Sequence, residues 1–162
     1  MTAPVVLATS SAVATREVAA AVAALCVPGD VLLLSGDLGA GKTTFAQGFG
    51  RAVGVLEPVT SPTFTLVNGY RTDKGFELLH VDVYRLEHLH EVVDLALAEA
   101  LDDGAVAVVE WGSRAAAALP GDRLEVAFDI SGDDGSRVLT LRGVGPSWVD
   151  RLSALAGRAR PL

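Results

Sequence analysis

Short apolar runs alternate with amphipathic stretches along the chain, and their lengths predict strands and helices in turn. The runs Val5–Ala8, Val31–Leu34 and Ala105–Val109 are typical of strands, and the last has the unbroken apolar character of a strand buried on both faces of a parallel sheet. Residues 12–25 and 43–53 read as helices. In the first helix, the expected apolar stripe consists of Val13, Val18, Ala21, Val22 and Leu25. This alternation predicts an α/β domain.

Further along, the pattern favours antiparallel pairs. Residues 64–71 and 75–84 form two predicted strands around the turn signal at 72–75, and residues 124–130 and 137–141 form a second predicted hairpin. Three more helices are predicted at 92–101, 114–119 and from about 148 to 155. We therefore expect a three-layer α/β domain whose mixed, partly parallel sheet carries added antiparallel strands.

Length and composition narrow the picture. With 162 residues, of which 50% are hydrophobic, the chain predicts one domain over residues 1–156 and a loose tail at 157–162. The single cysteine cannot form an internal disulfide, and the absence of a basic leader or a long apolar span predicts a cytoplasmic protein with no membrane partner. The net charge of −7 argues against nucleic-acid binding by this surface alone, so any contact with RNA is expected only through partners.

The strongest chemical signal is the stretch Gly36–Thr44, which reads Gly-Asp-Leu-Gly-Ala-Gly-Lys-Thr-Thr. It fits the phosphate-loop pattern of a glycine, four free positions and Gly-Lys-Thr, and it lies between a predicted strand and a predicted helix. Backbone N–H groups of such a loop, together with the start of the helix, form an anion site. Lys42 adds a positive charge for phosphates, and the Thr43 hydroxyl can ligate Mg²⁺. The stretch predicts nucleoside triphosphate binding, and with the element pattern it predicts a P-loop NTPase-like three-layer domain.

Two acids and a hydroxyl-rich loop are candidates to complete this site. The period of two places His80 and Asp82 on one face of their strand, where Asp82 could hold a Mg²⁺-bound water or make a structural hydrogen bond. His80 alone is more typical of a satisfied core or edge histidine. Glu110 ends a predicted parallel strand, so it can polarise water or bind Mg²⁺ through water, the alternative being an acid that faces solvent. The loop 57–65 is placed to sense a γ-phosphate, or is a solvated turn.

Four sequence blocks together resemble the TsaE family, small bacterial P-loop ATPases required for threonylcarbamoyl modification of tRNA. These blocks are Gly36–Phe45 with Gly48, Ser61–Val67 with Tyr70, His80–Leu86 and Val109–Trp111. The resemblance extends over about residues 5–150. It departs from the family at Ala96, where a glycine is common.

The resemblance implies cofactors and roles for individual residues. It implies ATP and Mg²⁺ as cofactors, with Glu110, Lys42 and Thr63 catalytic and with Thr43, Asp82 and Glu110 around the metal. The implied nucleotide-binding residues are Ser11 and Thr15 near the adenine, and Asp37, Gly39, Ala40, Gly41, Lys42, Thr43 and Thr44 in the loop.

The resemblance also implies a function. The chain would hydrolyse ATP slowly by itself and act on the TsaB–TsaD complex, which modifies at N6 the adenosine next to the anticodon of tRNAs that read ANN codons. A small-molecule P-loop kinase is the alternative, although Arg71, Arg85 and Arg114 are too scattered to indicate a lid. A small GTPase is less favoured because no Asn-Lys-x-Asp stretch is present.

Overall fold

A computed structural model describes residues 3–37, 39–60, 67–82, 97–110, 121–132 and 134–156. Its strands are β1 Val5–Thr9, β2 Val31–Gly36, β3 Val67–Arg71, β4 Glu77–Asp82, β5 Val106–Glu110, β6 Arg123–Ile130 and β7 Arg137–Val144. Its helices are α1 Ala12–Ala23, α2 Lys42–Ala52, α3 Leu97–Asp102 and α4 Val149–Ala156.

All of these strands belong to one seven-stranded sheet in the order β1-β7-β6-β2-β5-β4-β3. Strands β6, β2, β5 and β4 pair in parallel and form the centre. The other pairs are antiparallel: β3 lies at one edge beside β4, and β7 and β1 extend the sheet beyond β6. The predicted fold class, a mixed sheet with added antiparallel strands, is confirmed.

The central strands are apolar throughout because both faces of the sheet are covered. In β2, Leu32 and Leu34 belong to the larger core with residues of α1, α2 and α4, whereas Val31 and Leu33 belong to a second core with Leu97 of α3. Alternate side chains of a strand point to opposite faces, so a strand covered on both sides needs an unbroken apolar run.

Helices α1 and α2 cross at very close range. A Cβ atom added at Gly48 would lie 2.7 Å from Arg16 Cα, which means that glycine is required at this crossing. Helix α2 packs on the sheet through Phe45 and Phe49, both fully buried. Phe45 also meets Phe128 of β6 edge to face, with ring centroids 5.6 Å apart. These contacts fix the start of α2 against the sheet.

A partly buried ion pair links helix α4 to Asp30, directly before β2. Arg151 donates from Nη1 to Asp30 Oδ2 at 2.6 Å and from Nη2 to Asp30 Oδ1 at 3.1 Å. The Arg151 guanidinium also lies 3.9 Å from the ring centroid of Trp148. Burial, followed by the charge of Asp30, raises the pKa of the nearby Cys26 thiol.

Most predicted elements agree with the observed bounds, with two corrections at the first helix. Val13 is 57% exposed and does not belong to the apolar stripe, because it lies on the side of α1 that faces solvent. The helix ends at Ala23 rather than Leu25, and the half-buried Cys26 lies beyond it. The predicted helix 114–119, residues 92–96 of another helix, and strand residues 64–66 and 83–84 lie outside the described residues.

Candidate functional site

The phosphate-loop stretch leaves the sheet at the end of β2 and enters α2 through left-handed backbone. Gly41 is the N-cap of α2 and has φ 109°, a conformation that favours glycine. A Cβ at Gly36 would lie 2.6 Å from the carbonyl oxygen of Phe128 on the neighbouring strand β6. The local path of the loop therefore depends on glycines. The loop ends at the N-terminus of α2, where free N–H groups and the helix dipole favour an anion.

Internal hydrogen bonds order the loop. The Lys42 ammonium donates to the carbonyl oxygen of Gly36 at 2.5 Å, and the Ala40 N–H donates to the carbonyl oxygen of Asp37 at 3.0 Å. Ala40 is buried, whereas the side chain of Asp37 is exposed. The Lys42 ammonium thus spans the loop and binds a neutral carbonyl oxygen. A phosphate group would compete with this carbonyl for the ammonium, because hydrogen bonds between charged groups are stronger.

The strand register brings both predicted acids to the same edge of the sheet as the loop. Asp82 pairs with Glu110 across β4 and β5, and Glu110 pairs with Leu34 across β5 and β2. Glu110 is only 4% exposed, and the Thr43 hydroxyl donates to Glu110 Oε1 at 3.1 Å. The structure therefore places Glu110 against the first turn of α2, and the solvent-facing alternative is wrong.

His80 makes the second contact to Glu110, a pairing that sequence reasoning missed. Its ring is buried, and Nε2–H donates to Glu110 Oε2. Within the described part of the chain, His80 Nδ1 has no hydrogen-bond partner. The alternation of side chains along a strand places His80 on the same face as Asp82, and this part could be predicted from the sequence. The contact between His80 and Glu110 could not, because it depends on β4 lying beside β5.

Asp82 and Glu110 crowd negative charge at this edge. Burial, and after it the charge of Glu110, raises the pKa of Asp82, while His80 and Lys42 act in the opposite direction. No group of three His, Cys, Asp or Glu side chains that could hold a metal is found in the described ranges. Two carboxylates and a hydroxyl do not form a closed protein cage. They fit Mg²⁺, a hard cation that keeps waters and is completed by substrate phosphates.

A cavity of about 170 Å³, here called the loop cavity, adjoins the phosphate loop. It is lined by Ser11, Ala12, Thr15, Gly39, Gly41, Thr44, Gly135 and Arg137. The structure thus brings Ser11 and Thr15 beside the phosphate loop. Ser11 caps α1 by accepting from the Ala14 N–H, and the Thr15 and Thr9 hydroxyls share a hydrogen bond of 2.9 Å.

Gly135 and Arg137 come from the far hairpin and were not predicted. Arg137 Nη2 donates to the carbonyl oxygen of Gly39 at 3.1 Å, which ties β7 to the phosphate loop. No sequence motif marks either residue. Thr63, the remaining predicted site residue, lies outside the described residues.

Comparison with known structures supports the fold described above. A crystal structure of Bacillus subtilis YdiB is similar to the chain, with a TM-score of 0.80, 35% sequence identity and coverage of 98% of this chain and 97% of that one. The chain thus has the P-loop fold.

The sequence of this chain matches the family described as "Threonylcarbamoyl adenosine biosynthesis protein TsaE" over residues 9–139. Proteins named tRNA threonylcarbamoyladenosine biosynthesis protein TsaE are 44% identical in Bacillus subtilis, over 81% of this chain and 80% of the relative, and 43% identical in Streptomyces coelicolor, over 88% and 99%. The chain belongs to the TsaE family of tRNA threonylcarbamoyladenosine biosynthesis, which confirms the resemblance. Of the helices in the described ranges, none has the length and apolar character needed to cross a bilayer.

Proposed function

We propose that this protein is a cytoplasmic Mg²⁺-dependent ATPase that supports N6-threonylcarbamoylation of the adenosine next to the anticodon in tRNAs reading ANN codons. It would act on the TsaB–TsaD transferase complex and reach tRNA only through these partners. The observation that carries the proposal is the hydrogen bond from Thr43 to Glu110, because it joins the phosphate loop to an acid at the end of the adjacent parallel strand. The net charge of −7 supports an indirect contact with tRNA.

The loop and the loop cavity offer separate sites for the two halves of the nucleotide. Backbone N–H groups from Asp37 to Thr44, with the Lys42 ammonium, would bind the phosphates. Ser11, Thr15 and Arg137 line the adjoining cavity, which would receive the nucleoside end.

The acids would hold Mg²⁺ and position water. Thr43, Asp82 and Glu110 supply the oxygen ligands, directly or through water, and bound Mg²⁺ would neutralise charge on the phosphates. Glu110 is held from two sides by Thr43 and His80, so its carboxylate has a fixed direction in which to orient a water molecule. Thr63, in the hydroxyl-rich loop, would sense the terminal phosphate.

We expect the isolated protein to be a slow ATPase. Phosphoryl transfer depends on positioning and on cations that stabilise the transition state. Among the described residues, Lys42 and Arg137 are the cations whose side chains contact the phosphate loop, at the carbonyl oxygens of Gly36 and Gly39. The TsaB–TsaD complex would supply additional order or charge, and hydrolysis would reset that complex between turnovers.

The test measures ATP binding by calorimetry and phosphate release with and without TsaB–TsaD. Lys42→Ala should lose nucleotide binding, whereas Glu110→Gln should bind ATP and fail to hydrolyse it. The control Glu99→Gln changes an exposed carboxylate on α3 and should behave as wild type. Removing Mg²⁺ with a chelator should abolish phosphate release. Wild-type protein that binds no ATP would refute the proposal.

The same assay separates hydrolysis from a kinase reaction. A kinase would transfer the phosphoryl group to a member of a metabolite panel, whereas the proposed ATPase releases inorganic phosphate whatever metabolite is added. Competition between ATP and GTP identifies the preferred base. Multiple turnovers of tRNA modification by TsaB–TsaD at an unchanged rate without this protein would contradict the role in the cycle.

A further inference from the structure

A second and larger cavity, of about 470 Å³, lies between α1, α2 and the segment 55–59. We call it the arginine groove. Helix α1 contributes Arg16, α2 contributes Gln47 and Arg51, and the segment forms the remaining wall. None of these residues lines the loop cavity, so the groove is a separate feature of the surface.

The segment wall of the arginine groove is held firmly on α2. Gln47 Nε2 donates to the carbonyl oxygen of Val59 at 3.2 Å, and the Val55 N–H donates to the carbonyl oxygen of Gly50 at 2.9 Å. A Cβ at Gly50 would lie only 2.6 Å from Val59 Cγ2, so the Val59 side chain packs directly on the backbone of α2. Between these fixed points, Leu56 is 98% exposed. A single exposed leucine is ordinary, but this one is held at the rim of a charged groove.

The charge of the groove is opposite to that of the whole protein. In the part of the chain that the structure describes, neither Arg16 nor Arg51 makes a hydrogen bond or an ion pair, and Glu57 is the one acid in the lining of the groove. The chain as a whole carries 20 acids against 13 bases. Two available guanidinium groups in an acidic protein favour a carboxylate-bearing ligand, because guanidinium pairs with carboxylates through two parallel hydrogen bonds.

We propose that the arginine groove docks a segment of a partner protein in which acidic side chains flank an apolar one. The carboxylates would pair with Arg16 and Arg51, and the apolar side chain would cover Leu56. The identity of the partner rests on the proposed function: the segment belongs to the TsaB–TsaD complex. RNA fits this surface less well, because the Leu56 side chain cannot hydrogen-bond to a phosphate and the Glu57 carboxylate repels one.

The experiment measures the affinity of purified TsaB–TsaD for the full-length protein and three variants. Arg51→Glu should weaken binding about tenfold or more, and Leu56→Ser about fivefold, since charged and apolar anchors dominate such interfaces. Arg142→Glu is the matched control, because it makes the same charge change at an exposed position of β7 that does not line the groove. It should stay within about twofold of wild type. All variants should keep wild-type ATP affinity and melting temperature.

Salt dependence gives a second readout. The wild-type affinity should fall as the salt concentration rises, and it should fall less steeply for Arg51→Glu, because one attractive pair has been removed.

Four results would overturn the proposal, and they are distinguishable. Wild-type affinity in both Arg51→Glu and Leu56→Ser would refute the groove and leave the proposed function intact. Failure of wild-type protein to bind TsaB–TsaD would refute the partner in both proposals, while the ATP measurements stand separately. Binding of tRNA to the isolated protein that Arg51→Glu abolishes would assign the groove to RNA. A parallel loss of ATP affinity in Arg51→Glu would assign the groove to the nucleotide site.

Discussion

Replacing Gly48 by alanine should destabilise the protein, although alanine is the better helix former. In the interior of a helix, this change normally gains about 1 kcal/mol. Here the added Cβ would lie 2.7 Å from Arg16 Cα and 2.8 Å from the Arg16 carbonyl oxygen. Backbone stands on both sides of the contact, so no rotamer change can relieve it, and α1 and α2 must move apart.

The expected loss of stability is the cost of overpacking minus the gain in helix propensity. Overpacking of a close contact costs about 1–3 kcal/mol, with the upper part of that range expected where only backbone can shift. After the gain in helix propensity, the net loss in free energy of unfolding should be about 1–2 kcal/mol. For a domain of this size, the melting temperature should fall by roughly 3–6 °C. Urea unfolding and thermal melts measure both quantities.

Gly50→Ala is the matched comparison because its clash is with a side chain. The added Cβ would lie 2.6 Å from Val59 Cγ2, which Val59→Ala removes. In a double-mutant cycle, Gly50→Ala and Val59→Ala should therefore couple favourably by about 1 kcal/mol. Gly48→Ala and Arg16→Ala should be additive within about 0.5 kcal/mol, since Arg16 Cα and its carbonyl oxygen remain.

Two results would refute this reasoning. Wild-type stability of Gly48→Ala, or rescue of its stability by Arg16→Ala, would mean that the helices do not cross at backbone contact. A functional readout accompanies the stability measurement. Because Lys42 lies in the first turn of α2, a displaced helix should also weaken ATP affinity under the proposed function.

Three other perturbations test the site and its support. Asp82→Asn should raise the melting temperature at neutral pH, because the raised pKa of Asp82 means that its ionised form lowers the stability of the native state. This gain in melting temperature should shrink as the pH falls through the pKa of Asp82. A gain that grows towards acidic pH would contradict the prediction. Arg151→Ala leaves Asp30 as a buried, uncompensated charge and should cost about 3 kcal/mol in urea unfolding, and a loss below about 1 kcal/mol would refute this. Arg137→Ala removes the donor to the Gly39 carbonyl and should weaken ATP binding several-fold by calorimetry, whereas unchanged affinity would show that this contact does not order the loop.

Much of the fold could be predicted because its signals are local. The unbroken apolar runs of β2 and β5 indicate strands with both faces covered, and the observed sheet confirms this. The phosphate loop could be located because its glycines and its helix start are consecutive in the chain. The error at Val13 also arises from relying on a local signal. Apolar spacing alone includes Val13 in the stripe, but the packing of α1 on α2 and the sheet determines which face of the helix is buried.

The amino-acid sequence by itself predicted where an anion would bind, because closely spaced glycines, a helix start and a lysine all lie within a few consecutive residues. Only the tertiary structure decided what surrounds it. The order of β2, β5 and β4 brings Thr43, Glu110 and His80 into contact, and Arg137 reaches Gly39 across 98 positions of sequence. Such contacts depend on which strands become neighbours, and strand order arises from long-range packing that no local pattern encodes.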